Sequence, residues 1–171
     1  MPLISDLPYP PLDDIKEDSK ALRIVSPAYA GRDGELTAIL QYVYQSVLLG
    51  ACGKERESKL LLGIAVAEMR HLQILGTLIT KLGAPPVFTA CPPYPVSYYS
   101  ASCVNYTRSI TSMIAADICA EHAAISEYTR MLCALKNPAV AAVIERIRED
   151  ERLHLSALEQ LEKELRCGHS S

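Results

Sequence analysis

The sequence predicts an all-α chain: four long helices in one bundle, with a long proline-rich crossover joining the second and third. Three observations carry this. No stretch sustains the period-two alternation of a half-buried strand. Apolar side chains recur at alternating steps of four and three, the spacing of a helix seam in a bundle. Proline and glycine cluster at a few places and leave long segments uninterrupted between them.

Residues 1–30 hold four prolines before Pro27 and read as an N-terminal arm with room for one short helix, followed by the turn-like run AYAGRDG. The bundle itself spans 31–167. Its first helix runs from about Asp33 to Leu49 and stops at Gly50 and Gly53. The second runs from about Lys54 to Leu82, where Gly83, Pro85 and Pro86 form a helix stop. Residues 84–104 carry five prolines and make the crossover. The third helix runs from about Asn105 to Lys136. Asn137 and Pro138 suit the N-cap and first turn of a fourth, which ends near Arg166. Residues 168–171, including His169, read as a disordered tail without a role.

Composition narrows the function. A chain of 171 residues with 49% apolar content suits one domain with a sizeable core. Seventeen basic residues against twenty acidic ones argue against a nucleic-acid partner. The longest apolar run, Leu60 to Ala67, is too short to span a bilayer, and the N-terminus lacks the features of a signal peptide. The expected setting is the cytoplasm, with no membrane partner. None of the six cysteines forms a CxxC pair, so they are expected as buried or half-buried free thiols rather than zinc or rubredoxin-type ligands.

The seams hold an anomaly. Leu61, Ala65, Glu68, Leu72, Leu75, Ile79 and Leu82 step regularly along the second helix, and Val140, Ile144, Ile147, Glu151, His154, Leu158 and Leu161 along the fourth. The first contributes Glu35, Ile39, Tyr42, Ser46 and Leu49; the third contributes Ile114, Ile118, Glu121, Ile125, Tyr128 and Leu132. Each seam therefore carries one glutamate. An unpaired buried carboxylate costs several kcal/mol, and four together repel one another. Two helices also bring a histidine three residues on, in Glu68-Met-Arg-His71 and Glu151-Arg-Leu-His154, and that spacing puts both side chains on one face. Two divalent cations balance four carboxylates and two neutral imidazoles. One Glu from each of two helices, plus Glu-x-x-His from each of the others, is the ligand set of di-iron and di-manganese carboxylate bundles. The candidate metal ligands are Glu35, Glu68, His71, Glu121, Glu151 and His154.

The order of these residues repeats. Glu35 precedes Glu68 by 33 residues and Glu121 precedes Glu151 by 30, and ELTAILQY (35–42) matches EHAAISEY (121–128) at Glu, Ala, Ile and Tyr. Two similar hairpins are expected to face each other. Around the ligands, Asp150 can accept the outer ring N–H of a liganding histidine. Tyr42 and Tyr128, two turns beyond Glu35 and Glu121, can hydrogen-bond carboxylate ligands or pass protons, or serve as plain core tyrosines. His122 and Glu127 point elsewhere on the third helix and suit surface roles. The competing structural account is a polar core without metal, neutralised by Arg70, Arg146, Arg148 or Arg152.

With these motifs the chain resembles the ferritin-like superfamily of rubrerythrins, bacterioferritins and manganese catalases over roughly residues 30–166. AYAGRDGELTAILQYVYQ and AEMRHLQILGTLITKLGAPP look most like the short manganese-catalase-like proteins of the spore-coat type. The resemblance implies that Glu68 and either Glu121 or Glu151 bridge two metals. It also implies that Glu35 and His71 complete one ion's shell and His154 the other's. The chain departs from the pattern at Ala120, where typical manganese catalases carry an arginine near the site. A full Glu151 ligand is closer to rubrerythrins and bacterioferritins.

This oxygen-and-imidazole set suits two Mn or two Fe ions, and paired ions suit hydrogen peroxide or O₂ as substrate. No phosphate loop, GxSxG or HExxH supports another chemistry. Catalase-like dismutation needs no electron donor and fits a stand-alone domain. A rubrerythrin-like peroxidase would need an external electron donor, a ferroxidase would need iron as substrate, and a coat protein would keep the metals as a structural clasp. The Tyr- and Pro-rich arm and crossover, with Tyr94, Tyr98 and Tyr99, suggest a homo-oligomer, a dimer or larger.

Overall fold

The computed structural model describes residues 2–168 and is helical. Its α-helices are α1 (Ser19–Ala30), α2 (Glu35–Ala51), α3 (Glu55–Lys81), α4 (Ile110–Ala134) and α5 (Pro138–Gly168). Among the described residues there is no strand, only an isolated antiparallel bridge between Thr89 and Tyr98 in the crossover. The predicted all-α bundle with its long crossover is the observed fold. His169 and the rest of the expected tail lie outside the described residues, apart from Gly168, which closes α5.

Helix boundaries follow local chemistry. The Asp18 carboxylate accepts from the Lys20 and Ala21 N–H groups and starts α1, the short helix for which the arm had room. Asn137 accepts from Ala139 and Val140, so α5 begins at Pro138 as its sequence requires. The third bundle helix starts five residues later than expected. Asn105 instead bends the chain by accepting from the Thr107 N–H, and Ser109 caps α4 through the Ser112 N–H. Gly83 closes α3 at φ 102°, a left-handed conformation that a side chain would strain.

α2 packs along α3 and α4 along α5, giving two hairpins whose seams face one another. Two apolar layers form the core. One joins α1 to the C-terminal part of α3 and the N-terminal part of α5, through Val25, Tyr29, Leu75, Leu78, Val140 and Ile144. The other gathers Tyr42, Leu61, Ile64, Ile114, Leu158 and Leu161. Along α3 the sequence passes from one layer (Leu61, Ile64) to the other (Leu75, Leu78) across Glu68 and His71; along α5 it does so across Glu151 and His154. The polar residues thus occupy a belt sealed above and below.

Residues before α1 run along the bundle rather than away from it. The Leu3 N–H donates to the Gly63 carbonyl at 3.1 Å, and Arg146 holds the Leu7 and Ser5 carbonyls at 2.7 and 2.9 Å. α3 is long and apolar enough in composition to cross a bilayer, but 61% of its most apolar window is buried inside the bundle. The cysteines depart from expectation. Cys52, Cys91, Cys119, Cys133 and Cys167 are exposed, and Cys103 is half-buried. They sit at helix ends, in the crossover and on the outward face of α4, where no seam position claims them.

Candidate metal centre

All six seam residues converge. Glu35, Glu68, His71, Glu121, Glu151 and His154 are buried, and their donor atoms form two groups whose members lie within 4.8 Å of one another. One group is Glu35, Glu68, His71 and Glu151; the other is Glu68, Glu121, Glu151 and His154. Glu68 and Glu151 belong to both. Between the two alternatives for a second shared carboxylate, the grouping favours Glu151 over Glu121.

The atoms explain the sharing. Glu68 turns Oε2 to His71 Nδ1 at 2.8 Å and Oε1 to His154 Nδ1 at 3.1 Å. Glu151 does the same, with Oε1 at 3.1 Å from His71 Nδ1 and Oε2 at 3.7 Å from His154 Nδ1. Each of these carboxylates spans the two positions. Glu35 and Glu121 lie at the outer ends, each 3.8 Å from one Nδ1.

Both histidines face the cluster through Nδ1 because Nε2 is engaged behind. His71 Nε2 lies 3.1 Å from Asp150 Oδ2, the contact anticipated for Asp150. His154 Nε2 lies 2.9 Å from the Leu3 carbonyl. A carbonyl only accepts, so Nε2 carries a proton there, and the proton lost when the ring becomes neutral is the one on Nδ1, whose lone pair then points inward.

The tyrosines cross between hairpins. Tyr42 on α2 donates to Glu121 on α4, and Tyr128 on α4 donates to Glu35 on α2. Each supports the opposite hairpin's glutamate, an exchange that the pseudo-symmetry of the two repeats produces. Burial, reinforced by the neighbouring carboxylates, holds both phenols well above the usual tyrosine range.

None of the four arginines named as neutralising partners reaches the four glutamates. Arg70 bonds Gln73, Arg148 bonds Thr129 and Glu145, and Arg152 bonds Glu149. Arg146 is buried but pairs with Asp150 at 2.7 Å. Protons do the balancing without metal. Burial and the other carboxylates push Glu35 and Glu121 well up. Burial also opposes ionisation of Glu68 and Glu151, but the histidines hold both below the usual carboxylate range. Desolvation works against protonated His71 and His154, yet their carboxylate contacts raise both well above the ordinary histidine value. Two neutral acids, two carboxylates and two imidazolium rings sum to zero. Even so, Glu121 Oε2, Glu151 Oε1 and His154 Nδ1 are buried without a hydrogen bond. Inward-facing orphan donors of the right chemistry fit a pair of cations.

A cleft of about 620 Å³ opens on the other side of the cluster, between α2, α4 and the crossover. Glu35, Tyr42, Glu68, Glu121, Tyr128 and Glu151 line it, while Ala38, Ala120, Ala123 and Ala124 supply small apolar walls. His122 is exposed, and Glu127 pairs with Arg130 beside the cleft. The seam pattern missed Asp117, which is fully buried one turn before Glu121 and accepts from Gln41 at 2.7 Å and Gln45 at 2.9 Å. Burial outweighs those hydrogen bonds and pushes its carboxyl up to about 6.

Residues 9–88, which hold α1 to α3, match the family model described as manganese containing catalase. No relative among curated proteins matches the chain. Solved structures share the fold. A manganese catalase from Anabaena superposes with TM-score 0.80 at 20% identity, covering 96% of this chain and 81% of that one. A bacterioferritin from Desulfovibrio desulfuricans with a di-iron site gives 0.74 at 25% identity, covering 86% and 81%. The bacterioferritin of Mycobacterium tuberculosis gives 0.71 at 20% identity, covering 85% and 86%. The chain has the ferritin-like fold.

Proposed function

We propose that the chain is a dinuclear manganese or iron protein that dismutates hydrogen peroxide. One observation carries the reading: a buried set of four glutamates and two histidines divides into two groups sharing Glu68 and Glu151, and among the described residues its glutamates pair with histidines and not with lysine or arginine. Glu35 and His71 would hold one ion, Glu121 and His154 the other, and Glu68 and Glu151 both. The catalase match over residues 9–88 supports the peroxide assignment.

When bound, two such ions supply a two-electron couple, enough to oxidise one peroxide to O₂ and reduce another to water. The chain's own residues do the rest. The alanine-walled cleft admits a small neutral molecule to the glutamate side. The arm closes the histidine side. Tyr42 and Tyr128 each hold a phenol proton against the outer oxygen of a terminal glutamate, donating a hydrogen bond to Glu121 and Glu35 where the cleft reaches them. Both products are small and leave by the same cleft. The reading places the protein in the cytoplasm and makes it a homo-oligomer, with the exposed Tyr94, Val96 and Tyr98 of the crossover as contact surface.

Oxygen-electrode measurement on metal-loaded protein tests this. Dismutation gives one O₂ for every two peroxides with no donor present. Peroxide loss without O₂, and only with a reductant, would replace it with a donor-dependent peroxidase. The likeness to bacterioferritins favours ferroxidase activity as the second reading, and O₂ uptake on adding Fe²⁺ distinguishes it. Loss of fold on chelation with no turnover of either kind leaves a structural clasp.

A further inference from the structure

The two halves of the cluster match closely. Glu35 corresponds to Glu121, Glu68 to Glu151, His71 to His154, and the tyrosines exchange partners in both directions. The match fails behind the histidines. On α5 the residue preceding Glu151 is Asp150, whose carboxylate reaches across to His71 Nε2. The corresponding residue on α3 is Ala67, fully buried and without a polar atom to offer His154. The gap is filled from outside the bundle, by the Leu3 carbonyl.

We propose that this makes the two ion positions unequal: the Glu35/His71 position is supported by a carboxylate built into α5, and the Glu121/His154 position depends on the N-terminal arm. The proposal rests on the dinuclear reading above. A carboxylate behind an imidazole makes the ring a stronger donor than a neutral carbonyl does, and such outer partners typically carry about 10–100-fold in metal affinity. The Glu35/His71 position therefore fills first. Asp150 serves a second purpose, because it also anchors the arm: its Oδ1 accepts from the Ser5 N–H at 2.7 Å and its Oδ2 from the Tyr9 hydroxyl at 2.5 Å. Arg146 stacks 4.2 Å from the Tyr9 ring and ties the Ser5 and Leu7 carbonyls down. Leu3 is thus delivered to His154 by a strap fastened to the residue that supports His71. Leu3 and Asp150 are positioning residues acting through the histidines.

The test removes residues 2–4 from the full chain, taking away the Leu3 carbonyl and leaving Ser5 and Tyr9 on Asp150. Helix content by circular dichroism confirms folding. Manganese(II) titration followed by calorimetry, with anomalous scattering from loaded crystals, then reports each position separately. The parent is expected to fill both positions in two steps. The shortened chain is expected to keep the Glu35/His71 ion and bind the other about 10–100-fold more weakly. Ala67→Asp in the shortened chain, which restores a carboxylate behind His154, is expected to recover the second ion. Asp150→Asn in the full chain takes the carboxylate from His71 and also loosens the arm at Ser5 and Tyr9, so it is expected to weaken both positions, the Glu35/His71 one more, and it serves if the shortened chain does not fold. Equal loss at both positions, no loss, or failure of Ala67→Asp to recover the ion would overturn the proposal. A parent chain that binds no manganese or iron would overturn the dinuclear reading itself.

Discussion

Exchanging protons for metal ions is the perturbation whose size the structure dictates. Without ions, Glu35, Glu121, His71 and His154 all hold protons more tightly than in an unfolded chain, while Glu68 and Glu151 hold theirs less tightly. Groups with raised values stabilise the fold below their unfolded values and lose that contribution as pH rises through their folded ones. Groups with lowered values act above their unfolded value and lose their contribution as pH falls. The cluster's support for the metal-free fold therefore peaks near pH 4.5, the ordinary glutamate value. It declines above that, and more steeply above 6.5, where the unfolded histidines discharge. Each retained proton contributes a slope of about 1.4 kcal/mol per pH unit. Metal loading reverses the trend, since ligands must shed protons: up to about four leave per pair of ions, and affinity climbs with pH. Urea denaturation of metal-free protein from about pH 5 to about pH 8 measures the first effect. Calorimetric titration near neutral pH in two buffers of different ionisation enthalpy counts the protons. Stability that is flat or rising across that range, or release of less than about one proton, would refute the reasoning.

Three further outcomes follow from named contacts. Tyr42→Phe strips the donor from buried Glu121, and Tyr128→Phe does the same to Glu35. Each should cost about 1–3 kcal/mol in urea denaturation of the metal-free chain, with similar values for both. Gly76→Ala places a methyl 3.1 Å from the edge of the buried Tyr29 ring, which stacks on Phe88. The crowding outweighs the roughly 1 kcal/mol returned by removing a mid-helix glycine, and a net loss of up to about 2 kcal/mol is expected in the same assay. Ala124→Phe fills part of the cleft beside Tyr128 while replacing none of the six cluster residues. Peroxide turnover should fall by about tenfold or more, with ion content unchanged by elemental analysis.

Much of this was legible in one dimension because the candidate ligand pairs are local. Glu68 with His71, and Glu151 with His154, are three residues apart, and the 4–3 stepping put Ile39, Tyr42 and Leu49 on the same buried face as Glu35. Asp150 was legible for the same reason: it neighbours Glu151, a candidate ligand. What stayed hidden depends on distant partners. Asp117 is buried because Gln41 and Gln45 on another helix accommodate it, and nothing around it in sequence distinguishes it from a surface aspartate. The arm's role was equally hidden. Leu3 meets His154 across 151 residues, and a backbone carbonyl leaves no mark on residue identity. The exchange of partners by Tyr42 and Tyr128 required knowing how the two hairpins face each other. The α4 start was misplaced because Asn105 and Ser109 are both good caps, and only the turn at Thr107 decides between them.

The most direct test of the dinuclear centre is elemental mass spectrometry on untagged protein purified without oxygen, beside a Glu68→Ala variant. Glu68 belongs to both donor groups, so its removal should empty both positions. About two manganese or two iron per chain in the parent, and near none in the variant, is the expected result. A folded parent with neither metal would contradict it, leaving a polar core balanced by protons alone.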